Sequence, residues 1–403
     1  MRLAVSVRLF GSSCKRPAGC QFFRSSLPLA AWLLVLGLPG CAELRHANSA
    51  AYVTRGVRGN DESNELVAFK AWVLYPGRDI LTLDWLRRWL LGDEAWNADT
   101  DWSGGTSFCE PRSAEDLTPQ RVALGPCTNP PRPPFRVLKR RRGVSPGSFI
   151  GSDASGRRFL FKLDDPRYPE LGSSVAIIAS RILWALGYRV PPVYLVRVEG
   201  TGDERLDGQR ATATLYLDNV RGHFRFDWFR YRREARALRI ACAWINDVDR
   251  GGRNNLVIWD GQRALYYLID FNSCLGAWQG RPKESWRGWQ HEGDPLWALL
   301  RLISLGQWHA EPDPRQRIVS PAVGRFDSCL APLRWRPQSP NTAFDRLTAA
   351  DLEWIVERIR RLDRPQIEAI VSAAQLSDPA DAQYLVDALL ARRQRILETS
   401  APR

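Results

Sequence analysis

Asp249-Arg-Gly-Gly-Arg-Asn254 and, after a short apolar run, Leu268-Ile269-Asp270-Phe271 bring together the residue types that phosphoryl transfer requires. A carboxylate at position 249 can take the proton of an attacking hydroxyl. The side-chain oxygen of Asn254 and the carboxylate of Asp270 are hard donors able to hold a divalent cation on a polyphosphate. That chemistry needs spread negative charge neutralised and a hydroxyl held in line, with little covalent work by the protein. Each residue also has a plainer reading. Asp249 and Asn254 are turn formers that could close an Asx-type turn, and Asp270 could cap the segment that follows it.

A cation for the phosphates is offered by Lys162, inside Phe159-Leu-Phe-Lys-Leu163. Only five of the 57 cationic residues are Lys, at positions 15, 70, 139, 162 and 283. Where Arg serves almost everywhere, a Lys kept inside an apolar strand is informative, because a compact ammonium and a planar guanidinium are not equivalent against a phosphate. Its plainer reading is a strand-edge cation reaching water.

The elements that must carry these residues can be read from patterning. Phe135 to Leu138, Ser148 to Gly151 and Arg158 to Leu163 are short apolar or alternating runs separated by glycines, which predicts an antiparallel sheet. Val175, Ile178, Ile182 and Leu186 recur at helical spacing, closed by Gly187 and stopped by Pro191-Pro192. Val193 to Val198 and Ala211 to Leu217 supply two more strands. Tyr231 to Asn246 predicts a helix that delivers the chain into the Asp249 loop. Leu256 to Trp259 and Ala264 to Ile269 form a hairpin around the Asp260-Gly261 turn. Ala349 to Leu362, Pro365 to Ala374 and Ala380 to Leu397 read as three amphipathic helices.

Ahead of this region, Ser103 to Pro134 is rich in Gly, Pro, Ser and Thr and reads as a loop or linker marking a boundary. Val67 to Trp96 has apolar and aromatic spacings of an ordered extension, and 42 to about 60 looks like a tether. Arg2, Arg8, Lys15, Arg16 and Arg24 followed by Leu27 to Leu38 make an export signal too short to span a bilayer comfortably. It ends in Leu38-Pro-Gly-Cys41, which resembles a bacterial lipobox with Cys41 as the lipidated residue. Cleavage by an ordinary signal peptidase, or a retained anchor, are the other two outcomes.

At 403 residues, 44% hydrophobic with 17 Trp, the chain has a core to bury and is not a disordered protein. The formal charge of +13 comes from Arg spread along the whole length, densest from Arg136 to Arg142. That run reads as a solvated strand edge, and specific nucleic-acid binding is not expected. The eight Cys include no Cys-x-x-Cys pair and the four His are scattered, so a zinc site is not expected. Cys109 and Cys127 flank the Pro-rich stretch, where a stapling disulfide would help most.

From about Gly125 to Arg393 the chain resembles a bacterial lipoprotein family with an atypical, HipA-like or CotH-like protein-kinase-like fold. The resemblance rests on Gly143-Val-Ser-Pro-Gly147, Phe161-Lys-Leu-Asp-Asp-Pro166, Trp184-Ala-Leu-Gly-Tyr188, Arg232-Arg-Glu234, Ala243-Trp-Ile-Asn246, Leu268-Ile-Asp-Phe271 and Leu389-Leu-Ala-Arg-Arg393, taken as an ordered set. It implies an α+β, two-lobed protein-kinase-like fold, with a small antiparallel-sheet lobe over 135–218 and a mostly helical large lobe over 219–403. The signal peptide would occupy 1–41, and the tether, extension and Pro-rich loop 42–134. Lys162 would grip phosphates beneath the Gly143 to Gly151 turn, which includes Gly147, with Asp249 as base and Asn254 and Asp270 as ligands of Mg²⁺ or Mn²⁺ carried by ATP or another nucleotide. Ala176 stands where such folds carry a Glu for the lysine, Asn272 where they carry Gly, and Asp247 where relatives carry His.

Two functions follow from the resemblance. One is a membrane-anchored, exported phosphotransferase acting from a nucleotide on a hydroxyl acceptor. The other is a catalytically inactive, pseudokinase-like envelope lipoprotein that binds a partner. An exported site faces little ATP, so another donor, ATP from outside the cell, or a fold retained without catalysis all stay open.

Overall fold

The computed structural model describes residues 107–141, 147–230, 232–251, 253–292, 294–306 and 317–399, all within one compact unit, Glu43–Arg403. The export signal, Cys41, the tether, the extension and the turn residues 143–146 lie outside the described residues.

A five-stranded antiparallel sheet forms from β1 (Arg136–Arg140), β2 (Phe149–Ser152), β3 (Arg158–Leu163), β4 (Val193–Arg197) and β5 (Arg210–Leu215). Its strand order is β1-β2-β3-β5-β4. Alternation along β3 decides what each face does. Phe159 and Phe161 are fully buried and join Phe135, Phe149 and Tyr194 in an aromatic core on one side. Phe149 and Phe161 stack with centroids 4.6 Å apart, and burying one such ring is worth about 1.5–3 kcal/mol. Gly151 is required between them: a Cβ there would sit 3.0 Å from both rings and 2.9 Å from the Arg136 carbonyl. Arg158, Leu160 and Lys162 therefore face the other way.

The helix between β3 and β4, α2 (Leu171–Ala185), packs into the second and larger core cluster. Asp164, just past β3, anchors its first turn by accepting from the Ser173 amide at 2.7 Å and the Ser173 hydroxyl at 2.6 Å. Helix α3 (Arg233–Trp244) is buried on every side, which its alanines and apolar residues permit, and its Trp244 indole donates to the Leu389 carbonyl at 2.9 Å. It ends where Asn246 adopts a left-handed conformation, φ 50°, and turns the chain into the Asp249 loop.

A second antiparallel sheet has the order β6-β7-β8, from β6 (Val220–Gly222), β7 (Asn255–Trp259) and β8 (Ala264–Leu268). The predicted hairpin is its β7–β8 pair, in register Asn255 to Leu268 through Trp259 to Ala264. Strand β6 was not expected. Three helices close the body: α5 (Ala349–Arg360), α6 (Arg364–Ser372) and α7 (Pro379–Thr399), with α4 (Pro295–Ile303) before them. Helix α5 starts at a capping box of Thr348 and Asp351, and Asp351 also takes both Arg236 Nε and Nη2, at 2.7 and 3.0 Å.

Two expectations for 103–134 are corrected. The described part from 107 onward carries a helix, α1 (Pro119–Leu124), which packs against α2 and α6, with Phe108 and Val122 in the main core. Pro at the first helical position and the apolar Leu117 and Val122 outweigh the loop-like composition. Cys109 and Cys127 are free and belong to different core clusters. Cys109 lies with the helical body, whereas Cys127 sits under the five-stranded sheet and donates to the Val193 carbonyl at 3.2 Å.

Candidate functional site

Between the polar face of the first sheet and the β6-β7-β8 sheet lies a cleft of about 730 Å³. Leu160, Lys162, Thr212 and Thr214 line it from the first sheet, joined by Ala176 from α2 and the chain from Leu215 to Val220. Asn254, Leu256, Ile269 and Asp270 line it from the other side. Strand pairing explains the first group: Leu160 is opposite Thr214 and Lys162 opposite Thr212, so all four side chains emerge on one face. The lining mixes apolar side chains with Lys162 and Asp270, and Arg141, Arg158, Asp218 and Arg253 add further charge.

Lys162 and Asp270, 108 positions apart in sequence, meet here. The ammonium lies 2.6 Å from Asp270 Oδ1, with the two side chains 12% and 30% exposed. Burial works to raise the Asp270 carboxyl, but the charge and hydrogen bond of Lys162 outweigh it and hold the group below the usual carboxylate range. Asp270 itself adopts φ 60°, a left-handed conformation that costs free energy for a residue with a Cβ.

Asn254 lines the cleft and donates from Nδ2 to the Asp249 carbonyl at 2.6 Å, which commits its nitrogen and leaves its side-chain oxygen as the free end. Asp249 sits behind it, half-buried. Burial, then the charges of Asp270 and Asp247, push its carboxyl up to about 7. A carboxylate titrating there is matched to taking a proton at neutral pH. Asn254 and Asp270 provide one carboxamide and one carboxylate, an oxygen-only set that suits Mg²⁺ or Mn²⁺ completed by phosphate and water. No group of three or more His, Cys, Asp or Glu able to hold a metal occurs among the described residues.

Three of the predicted residues, Lys162, Asn254 and Asp270, line the cleft; Asp249 is not among its lining residues and meets Asn254 through its backbone carbonyl. Gly147 enters β2 at φ 86° against the Leu163 side chain and is not among the described lining residues. Cys41 lies outside the described residues. Glu170 is engaged by the Ser377 amide at 2.9 Å and leaves Lys162 to Asp270. The sequence reading missed Arg250, which is fully buried against Asp247 beside the predicted base. It also missed Leu160, which the two-residue period from Lys162 could have supplied.

No protein-family model matches the chain. No curated protein sequence matches it. Solved structures similar to it include the Helicobacter pylori proinflammatory kinase CtkA, at 12% identity and TM-score 0.39, over 65% of this chain and 92% of that one. They also include the Golgi casein kinase, at 10% identity and TM-score 0.29 over 95% and 93% of the two chains. The same kinase with Mn/ADP bound is similar at 11% identity and TM-score 0.26, over 96% and 95%. At these scores the likeness is too remote to carry any residue across. The chemistry must be read from this chain's own side chains, on an α+β scaffold.

Proposed function

We propose that this chain is a membrane-anchored, atypical kinase-like phosphotransferase. In this reading it has a two-lobed fold and moves a phosphoryl group from a nucleotide carrying Mg²⁺ or Mn²⁺ to a hydroxyl acceptor. The observation that carries the proposal is the Lys162–Asp270 contact across the cleft, which puts a phosphate-binding cation and a metal-binding carboxylate within 2.6 Å. The apolar side chains of Leu160, Leu256 and Ile269 suit a flat base, and Lys162 suits its phosphates.

Asn254 and Asp270 would hold a divalent cation, which when bound would supply charge neutralisation on the transferring group. Lys162 grips the donor phosphates from the sheet side. Asp249 accepts the acceptor's hydroxyl proton as the new O–P bond forms and the bond to the leaving nucleotide oxygen breaks. Export and lipidation at Cys41 are part of the proposal and would present this cleft at a membrane surface.

Ala176 favours the second reading, a non-catalytic binding module. It lines the cleft beside Lys162 with no carboxylate to orient the ammonium independently of Asp270. Thermal-shift titration with ATP and Mg²⁺ or Mn²⁺ separates the outcomes. Ligand at a hundredfold excess over Kd stabilises by about 2.7 kcal/mol. The proposal expects a metal-dependent shift that Asp270→Ala abolishes. Absence of a shift with any nucleotide removes the enzyme reading, and binding without transfer favours the module.

A further inference from the structure

Arg250 follows the proposed base directly, yet the chemistry above gives it no role. Its side chain is completely buried, as is that of its partner Asp247. A guanidinium is found in such a place only when its donors are used. Nε and Nη2 both donate to Asp247 Oδ2, at 2.8 and 2.5 Å. Nη1 donates to two backbone carbonyls, Asn254 at 2.5 Å and Ile269 at 2.8 Å.

Those two carbonyls are informative. Asn254 is itself one proposed metal ligand, and Ile269 immediately precedes the other. The Ile269 amide donates to the same Asn254 carbonyl at 3.1 Å, and the Phe271 ring lies 5.3 Å from the guanidinium carbon. One planar fork therefore joins the loop that ends in Asn254 to the strand end that presents Asp270.

Stability alone is a weak reason to keep this pair. Asp247 Oδ1 is buried without a hydrogen-bond partner, and a buried ion pair recovers its desolvation only when the remaining hydrogen bonds are also made.

We propose that the Asp247–Arg250 pair sets the spacing of the two metal ligands, fixing Asn254 and Asp270 so that their oxygens meet a single divalent cation. This rests on the phosphotransferase reading of the site. Arg250 is a positioning residue and touches neither nucleotide nor metal. Lysine cannot replace it, because a point ammonium does not span the carboxylate and both carbonyls at once.

The test uses the full chain carrying Arg250→Lys, with two readouts. The first is ADP affinity with and without Mn²⁺; the second is amide hydrogen exchange in 249–254 and 269–272. Losing a group that orients metal ligands weakens metal binding by about tenfold or more. Mn²⁺-dependent ADP binding should fall accordingly, metal-free ADP binding should be unchanged, and exchange should accelerate in both segments together. Equal loss of both affinities, or faster exchange spread across the whole fold, would overturn the proposal in favour of a purely structural arginine. If Arg250→Lys does not fold, Asp247→Asn removes the charge that fixes the guanidinium and should give the same pattern. Should the unmodified protein bind no ADP in either condition, the phosphotransferase reading fails. The exchange arm still decides the coupling: acceleration of both segments supports it, and acceleration of 249–254 alone overturns it.

Discussion

Replacing Asp249 with Asn should stabilise the protein, and by more as the pH rises. Burial is the largest influence on this carboxyl and the charges of Asp270 and Asp247 add to it, so it titrates at about 7. In an unfolded chain it would titrate at about 3.9. Between those values the folded state holds a proton that the unfolded state has released. The stability this group contributes is fully present below about pH 3.9 and is lost as the pH rises through about 7. Asn has the shape of the protonated acid and no charge to desolvate, so the variant escapes that loss. From about pH 5 to about pH 8 some two units of the displacement are crossed, equivalent to about 2.7 kcal/mol. Water at the half-buried side chain reduces the expected gain to on the order of 1 to 2 kcal/mol. Urea unfolding of both proteins across this range measures it, provided the slopes agree. An advantage for Asp249→Asn that does not change with pH would show an ordinary carboxylate, and with it would go the physical reason for choosing Asp249 as the base.

The same titration predicts that kcat/KM, which reports the free enzyme, falls about tenfold per pH unit below about 7, because a protonated Asp249 cannot accept the hydroxyl proton; a kcat/KM profile flat through that region would reassign the base. Asp351→Ala leaves the buried guanidinium of Arg236 without its two hydrogen bonds. That should cost about 3–5 kcal/mol in chemical denaturation, and a loss under about 1 kcal/mol would mean that water reaches the site.

Much of the scaffold was readable because local patterning and tertiary burial agree. Strand β3 falls on the predicted residues, since alternating Phe159, Phe161 and Leu160, Lys162 leaves one face for a core and one for solvent or ligand. Helix α2 was found from its apolar period, although it is buried almost all round, and Gly187, at φ 97°, closes it as expected, well before Pro191-Pro192. Lys162, Asn254 and Asp270 were legible as residue types whose spacing suits one chemistry. What joins them was not: the 2.6 Å Lys162–Asp270 contact depends on how two sheets meet across a cleft. Arg250 was invisible for a related reason. Among 57 cationic residues nothing local distinguishes a buried guanidinium from a solvated one, and burial is decided by Asp247, Asn254 and Ile269 arriving from two elements. The Pro-rich stretch misled because composition registers turn chemistry and overlooks a few apolar anchors, here Phe108, Leu117 and Val122, that fix it to the core.

Crystals grown with Mn²⁺ and a nucleotide, measured for the anomalous signal of manganese, test the central claim most directly. The account predicts one manganese peak bridging the side-chain oxygens of Asn254 and Asp270, with nucleotide phosphates against Lys162 and the base between Leu160 and Leu256. Nucleotide density elsewhere on the protein, or manganese bound without contact to Asp270, would contradict it.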